Sequence, residues 1–372
     1  MASRTDYVLV FLVALVVTLV ATPICRWLAV KTKVVVEPDA RRVHLVPTPM
    51  LGGLGMLVGV LAAFGMATRL DGFDPVFLAP SVPLGVVLAA VLMCGIGTID
   101  DVRPVSPPAK TAGMVLAGSV LSLLGVSIVF LRIPFAGILS VSTDLAPLLT
   151  VIWVLGMANA VNFIDGLDGL AAGIVAIAAG AFFLYAYRLT GANVIGPENP
   201  SPLIAVIVAG ICIGFLPLNF HPAKLFMGDG GALMLGLLMA ASTVLVGGQA
   251  NDPYSGQVFF FYAPLAIPFF VMGVPILDTA FAIIRRASKR SGLSEADKGH
   301  LHHRLMRLGH GQRRSVLILW LWTALLSGFV LYPVYNQDSQ FDAVVPMGVA
   351  ALGLVLYTLF HPGIRGQRDT SV

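Results

Sequence analysis

Long apolar runs separated by short polar segments constrain the fold of this chain more than any other feature. A helix needs about 20 apolar residues to cross the hydrocarbon core of a bilayer. Eleven stretches come close to that length or exceed it: residues 7–29, 50–68, 81–99, 109–130, 144–161, 168–187, 202–219, 230–247, 258–284, 315–335 and 342–361. Only 11% of the residues are charged, against about 25% in soluble domains. The sequence therefore predicts an all-α polytopic integral membrane protein with about 11 transmembrane helices.

No stretch is long and polar enough to form a separate soluble domain, so residues 1–372 are predicted to form one membrane-embedded domain. The polar motifs described below lie in a core at 31–314, and two further spans follow at 315–361. The region before the first span has one basic residue, Arg4, offset by Asp6, and no convincing cleavage site precedes Lys31. It is therefore predicted to be retained as a span rather than removed as a signal peptide. Residues 127–142 are predicted to form a short hairpin between two spans.

The distribution of Lys and Arg predicts the orientation of the chain. Of the 23 basic residues, 19 fall in the odd-numbered loops and the C-terminal tail. The other four are Arg4, Arg69, Arg132 and Arg188. Since basic residues accumulate on the cytoplasmic side, the N-terminus is predicted to lie outside and the C-terminus in the cytoplasm.

The composition also excludes some classes of function. A net charge of +4 without a basic stripe gives no sign of nucleic-acid binding. Cys25, Cys94 and Cys212 are far apart and lie inside apolar segments. They are predicted to be small buried hydrophobic residues, not a disulfide or a metal set.

Every dense polar cluster falls in an odd-numbered loop, on the predicted cytoplasmic side. The five clusters are residues 37–53, 97–110, 158–173, 219–231 and 285–314. The third cluster places Asn159, Asn162, Asp165 and Asp168 between two apolar segments. Polar groups at membrane depth are costly, which makes such a cluster a functional-site candidate. Five clusters on one side indicate one composite site built from cytoplasmic loops.

The residue types in these clusters favour phosphoryl transfer. Carboxylates with few cysteines suit Mg²⁺ or Mn²⁺ rather than zinc. Glycines beside carboxylates let backbone N–H groups and a metal approach phosphate oxygens. In phosphoryl transfer the protein mainly positions groups and neutralises charge, which is what this inventory can do.

Each cluster also has a simpler interpretation. Asp100 and Asp101 fit a solvated helix end, although adjacent like charges favour a cation between them or a role as a base. Asp229 could act as the N-cap of the following helix, and the same residue could also bind a metal. A transporter of an anionic solute and a structural scaffold are the alternatives from other classes. A transporter needs charges at mid-span, whereas these charges cluster at span ends.

Five stretches, in this order, resemble the polyprenyl-phosphate N-acetylhexosamine-1-phosphate transferases. They are RRVHLVPTPMLGG, GTIDD with a downstream Lys110, NAVNFIDGLDGLAAG, NFHPAKLFMGDGGA and HLHHRL, and together they span residues 41–305. The resemblance implies that a polyprenyl phosphate attacks the β-phosphorus of a UDP-sugar, giving a lipid-diphosphate-sugar and UMP with Mg²⁺. It implies a cell-membrane enzyme of polysaccharide assembly with its site facing the cytoplasm. A homodimer is compatible with the sequence.

The roles of individual residues follow from the resemblance alone. Asp100 and Asp101 resemble the catalytic carboxylate pair, without an indication of which one acts as the base. Asp229 resembles the magnesium ligand and is included among the catalytic residues, with Asp101 as a second metal ligand. The residues that resemble substrate-binding positions are Arg42, His44, Lys110, Asn162, Asp165, Asp168, Asn219, His302, His303 and Arg304.

The stretch from His300 to Leu305 separates the two main branches of the family. It resembles the H-x-H-H-x-L form of the WecA/TagO branch, which implies UDP-N-acetylglucosamine as the sugar donor. The MraY branch, which uses UDP-N-acetylmuramoyl-pentapeptide, carries three consecutive His and remains the alternative. Arg304 fits a donor to a diphosphate, or alternatively part of the positive inner face. Direct attack by the lipid phosphate is favoured over a two-step route through an aspartyl-phosphate.

Overall fold

The computed structural model describes residues 2–37, 47–133, 137–248 and 311–335, with isolated helical positions at 346, 349, 350 and 353. The longer helices in these ranges are α1 (Arg4–Lys31), α2 (Gly52–Ala67), α4 (Ser81–Val102), α5 (Pro107–Leu123), α6 (Ala146–Ile164), α7 (Leu170–Gly191), α8 (Ser201–Asn219), α9 (Gly228–Gly247) and α10 (Gln312–Tyr335). A 3₁₀ turn at Asp71–Phe73 and a short helix α3 (Asp74–Phe77) follow α2. Antiparallel pairs form between β1 (Val35–Val36) and β2 (Thr48–Pro49), and between β3 (Phe130–Ile133) and β4 (Gly137–Ser140).

The helical membrane architecture is confirmed in the described part of the chain. Six helices there are long and apolar enough to cross a membrane, and α2 with Asp71–Phe77 makes a seventh if that pair, bent by 93°, is one span. Nine of the predicted spans coincide with α1, α2 and α4–α10. Span 258–284 lies outside the described residues, as does most of span 342–361. The total of eleven stays a prediction.

The predicted hairpin is confirmed as β3 and β4, whose register pairs Phe130 with Ser140. The end of the fourth predicted span, 109–130, is wrong, because α5 ends at Leu123 and the chain then enters the hairpin. Gly125 adopts a φ of +108°, which residues other than glycine rarely adopt. It lies in the turn between α5 and the hairpin.

Helix α9 is the centre of the bundle. Its residues from Gly230 to Val246 are all buried, and it packs against α2, α4, α6 and α8. Its apolar and small side chains face neighbours on every side, as expected for a helix without a lipid-facing stripe. Because α9 is surrounded, a group at its first turn is within reach of several other helix ends. That first turn contains Asp229.

Candidate active site

The ends of the helices bring four of the five polar clusters together around the start of α9. Backbone N–H groups of Gly52 and Gly53 donate to the carbonyls of Phe226 (3.0 Å) and Met227 (2.9 Å), which ties the start of α2 to the start of α9. Residue 97 on α4, residue 110 on α5 and residue 162 on α6 approach the same turn through the contacts given below. The prediction that these loops form a composite site is consistent with this convergence. The fifth cluster, at 285–314, lies mostly outside the described residues.

Two glycine contacts let α9 approach its neighbours closely enough to place Asp229. A Cβ atom on Gly97 of α4 would stand 2.5 Å from the carbonyl carbon of Asp229 and 2.6 Å from its oxygen. A Cβ atom on Gly53 of α2 would stand 2.7 Å from the carbonyl carbon of Gly230. All three distances are far shorter than an ordinary van der Waals contact. Helices α2 and α4 therefore touch the backbone of α9 where a side chain would keep them apart.

Asp101, the last acidic residue of α4, holds the first turn of α9. Its Oδ1 accepts the N–H of Asp229 (2.9 Å), and its Oδ2 accepts the N–H of Gly230 (3.2 Å). A carboxylate at a helix N-terminus satisfies backbone donors that lack a partner and favours the positive end of the helix dipole. Gly228 precedes this turn with a φ of +68°, and a Cβ atom there would collide with the Asp101 carboxylate. Asp101 thus supplies from another helix the cap that α9 lacks in its own sequence.

Asp229 itself receives two donors from α5 and α6. The Nζ of Lys110 donates to Oδ2 of Asp229, and the Nδ2 of Asn162 donates to Oδ1 at 2.6 Å. The same Lys110 Nζ donates to Oδ2 of Asp100 at 2.9 Å, while Oδ1 of Asp100 accepts the N–H of Val105 at 2.7 Å. Asp100 and Asp229 therefore converge on one cationic group, and their carboxylates have fixed orientations.

Asp165 lies immediately after the end of α6, beside this group. Burial, followed by repulsion from Asp229, Asp101 and Asp168, raises the pKa of Asp165 to about 7. The pKa of such a carboxyl group is raised by burial and by neighbouring negative charges. A bound cation would stabilise its ionised form. Among the described residues, Lys110 is the ammonium group that bonds to these carboxylates, and it pairs with Asp100 and Asp229.

Asp168 and Asn219 bond to nearby protein groups. Oδ2 of the buried Asp168 accepts Nδ1 of His221 (2.7 Å) and the N–H of Ala223 (3.1 Å). The side chain of Asn219 accepts the N–H of Gly169 (3.0 Å) and donates to the carbonyl of Leu225 (3.1 Å). The buried amide of Asn219, which is 1% exposed, therefore links the loop before α7 to the loop before α9 through its oxygen and its nitrogen.

His221 is a polar residue at this site that the sequence motifs did not single out. The signal in the sequence is its position in NFHPAK, between two residues with predicted roles, Asn219 and Asp229. Its side chain is 34% exposed. Only the fold brings it to Asp168, from which it is separated by 53 residues in the sequence.

A cavity of about 520 Å³ opens beside Asp229. Asp100, Asp101 and Asp229 line it on one side, and the segment 34–37 with Met50 and Pro104 lines the rest. Within the described ranges, no group of three or more His, Cys, Asp or Glu residues is close enough to form a metal site by itself. Arg42, His44, His302, His303 and Arg304 lie outside the described residues, so their predicted roles stay predictions.

Comparison with known proteins adds an independent finding. Residues 83–247 match the model of glycosyl transferase family 4. The chain is 40% identical to decaprenyl-phosphate N-acetylglucosaminephosphotransferase of Mycolicibacterium smegmatis, over 95% of this chain and 88% of that protein. It is 35% identical to the probable undecaprenyl-phosphate N-acetylglucosaminyl 1-phosphate transferase of Bacillus subtilis, over 84% and 81%. Phospho-N-acetylmuramoyl-pentapeptide-transferase of Staphylococcus aureus is less similar, at 27% identity over 86% and 96%.

Proposed function

Because the chain belongs to glycosyl transferase family 4, we propose that it transfers N-acetylglucosamine-1-phosphate from UDP-N-acetylglucosamine to a polyprenyl phosphate. The products are polyprenyl-diphosphate-N-acetylglucosamine and UMP. The names of the relatives support the sugar and the lipid, since those with 35–40% identity are N-acetylglucosamine phosphotransferases and the muramoyl-pentapeptide enzyme is more distant. The enzyme is a multi-pass membrane protein, which we place in the cell membrane with this site facing the cytoplasm.

The single observation that carries this proposal is the convergence of Asp100 and Asp229 on Lys110, with Asn162 holding the other oxygen of Asp229. Phosphoryl transfer needs groups that hold a diphosphate in line with its attacker and neutralise the charge of the leaving phosphate. The ammonium of Lys110 can exchange a carboxylate for a phosphate oxygen, since it is a mobile point charge on a flexible stem. Asn162 keeps Asp229 oriented while that exchange occurs.

The donor set fits a hard divalent cation. Asp229 and Asp101 line the cavity, and burial, followed by repulsion from Asp229 and Asp101, raises the pKa of the neighbouring Asp165 to about 7. We propose Mg²⁺ as the cofactor, or Mn²⁺ in its place, with Asp229 as the principal ligand and Asp101 as the second. When bound, the cation neutralises charge on the diphosphate and on the departing UMP.

The remaining residues act on the two substrates. An oxygen of the lipid phosphate forms a bond to the phosphorus next to the sugar, and the bond from that phosphorus to the bridging oxygen of UMP breaks. Asp100, at the cavity wall, and Lys110, which bonds to both Asp100 and Asp229, would position the lipid phosphate. Asp165 and Asp168 lie on the side we assign to the nucleotide, and Asn219 supports them through the backbone of Gly169. Arg42, His44, His302, His303 and Arg304 are proposed as further substrate contacts.

The direct test is UMP release by the purified full-length protein with Mg²⁺ and polyprenyl phosphate. We expect release with UDP-N-acetylglucosamine and none with UDP-N-acetylmuramoyl-pentapeptide. Turnover of the pentapeptide nucleotide in preference would assign the chain to the muramoyl branch. Release with neither nucleotide would contradict the proposed function. Exchange of labelled UMP into UDP-N-acetylglucosamine without lipid would replace direct attack by a two-step route.

A further inference from the structure

The imidazole of His221 is held in one orientation by a carboxylate. Its Nδ1 lies 2.7 Å from Oδ2 of Asp168, which is 7% exposed. Since an ionised carboxylate only accepts hydrogen bonds, Nδ1 carries the proton in this pair. The other ring nitrogen, Nε2, forms no hydrogen bond with any part of the protein that the structure describes. The ring therefore has one fixed nitrogen and one nitrogen left for a further contact.

The loop that carries His221 is anchored without the imidazole. Leu218 accepts the N–H groups of Lys224 (2.7 Å) and Leu225 (3.2 Å) on its carbonyl. The Nε of Arg26 donates to the carbonyl of Lys224 (3.1 Å), and the Nε of Arg313 donates to the carbonyl of His221 (3.1 Å). These bonds fix the backbone of the loop, so its shape does not explain why a His side chain also bonds to Asp168.

The surroundings of this pair indicate what Nε2 would bind. Asp168 follows Asp165 by three residues in the loop after α6, and the pKa of Asp165 is raised by burial first and then by Asp229, Asp101 and Asp168, in that order. The pair thus lies at the loop that follows α6, the helix from which Asn162 donates to Asp229 (2.6 Å). A nucleotide that binds beside this loop brings further negative charge, which needs a donor to offset it. A ring protonated at both nitrogens can donate from Nδ1 to Asp168 and from Nε2 to a phosphate oxygen.

We propose that His221 binds the phosphate of the donor's uridine nucleotide through Nε2, and that Asp168 is the residue that positions its ring. This inference rests on the proposed function, since it names a contact for the donor in the same site. Asp168 then acts on the substrate through His221, whereas the motifs alone indicate a direct contact.

Two substitutions separate the two nitrogens of the ring. In His221→Asn the side-chain amide can take the place of Nδ1 and keep the bond to Asp168, but no atom replaces Nε2. In His221→Gln the amide can reach the place of Nε2, but the bond to Asp168 is lost. Arg26→Gln is the matched control, since it removes another side-chain anchor of the same loop. Thermal unfolding in detergent checks that each variant is folded.

We expect His221→Asn to raise both the KM for UDP-N-acetylglucosamine and the inhibition constant of UMP about tenfold, the effect of losing one charged hydrogen bond. The KM for polyprenyl phosphate and the inhibition by uridine, which has no phosphate, should not change. His221→Gln should recover part of the loss, and Arg26→Gln should behave as the wild type.

Each opposite result overturns the inference. If His221→Asn matches the wild type while His221→Gln is impaired, the imidazole only fastens Asp168. If inhibition by uridine weakens as much as inhibition by UMP, the contact is to the nucleoside and not to the phosphate. If Arg26→Gln reproduces the effect, the shape of the loop is responsible. These results differ from failure of the proposed function, in which the wild type itself would release no UMP.

Discussion

The contact between α4 and α9 at Gly97 offers a sharp test of how this fold places Asp229. In Gly97→Ala the new Cβ would stand 2.5 Å from the carbonyl carbon of Asp229, where ordinary contacts are 3.4–4 Å. Both partners are helix backbone, so the helices must separate by about 1 Å at this point. A misplacement of that size can lower turnover about 100-fold. The same movement would loosen the bonds from Asp101 to the start of α9.

The effect on stability should be much smaller than the effect on turnover. Overpacking lowers the free energy of unfolding by about 1–3 kcal/mol. Replacing Gly by Ala within a helix raises it by about 1 kcal/mol. Gly95→Ala on the same helix is the matched control, since a Cβ atom there meets nothing within 4 Å among the described residues. It should keep full turnover and be slightly more stable.

The assay is the initial rate of UMP release with saturating substrates, together with thermal unfolding of both variants in detergent. A folded Gly97→Ala protein with about 1% of the activity of Gly95→Ala is the expected result. Equal turnover of the two variants would refute the argument that this backbone contact positions Asp229.

Three further predictions concern the metal, the orientation and the sugar donor. Asp229→Asn should abolish UMP release, and added Mg²⁺ should not restore it fully, because an amide oxygen is a weaker ligand than a carboxylate for a hard cation; near-normal activity at ordinary Mg²⁺ would be the contrary result. In a cysteine-free background, a cysteine at Ser106 should be shielded from an impermeant thiol reagent in intact cells and one at Ser255 should react. The reverse pattern of labelling would show that the orientation is wrong. Arg304→Ala should lower UMP release far more than Arg307→Ala, and equal losses would leave Arg304 only a part of the positive inner face.

Much of the architecture could be predicted because membrane-spanning helices are recorded locally in the sequence. Runs of apolar residues match the described helices, and the predicted hairpin at 127–142 is present as β3 and β4. The end of α5 at Leu123 was not predicted, because the turn at Gly125 depends on its backbone conformation and not on hydropathy. The short pairing of β1 with β2 was likewise not predicted, since each strand has only two residues.

At the site, the sequence determined which residues are present and which loops carry them, but not how they pair. Asp100 and Asp101 are neighbours with the same predicted role, yet one bonds to Lys110 and the other caps α9. The partnership of Asp168 with His221 links residues 53 positions apart, and that of Asn162 with Asp229 links residues 67 apart. Apolar runs and charge bias are set by the bilayer and its two faces, so a single sequence displays them. Pairings between distant carboxylates and their donors are decided by tertiary packing, as at Asp229, where Gly53 and Gly97 let helix backbones touch.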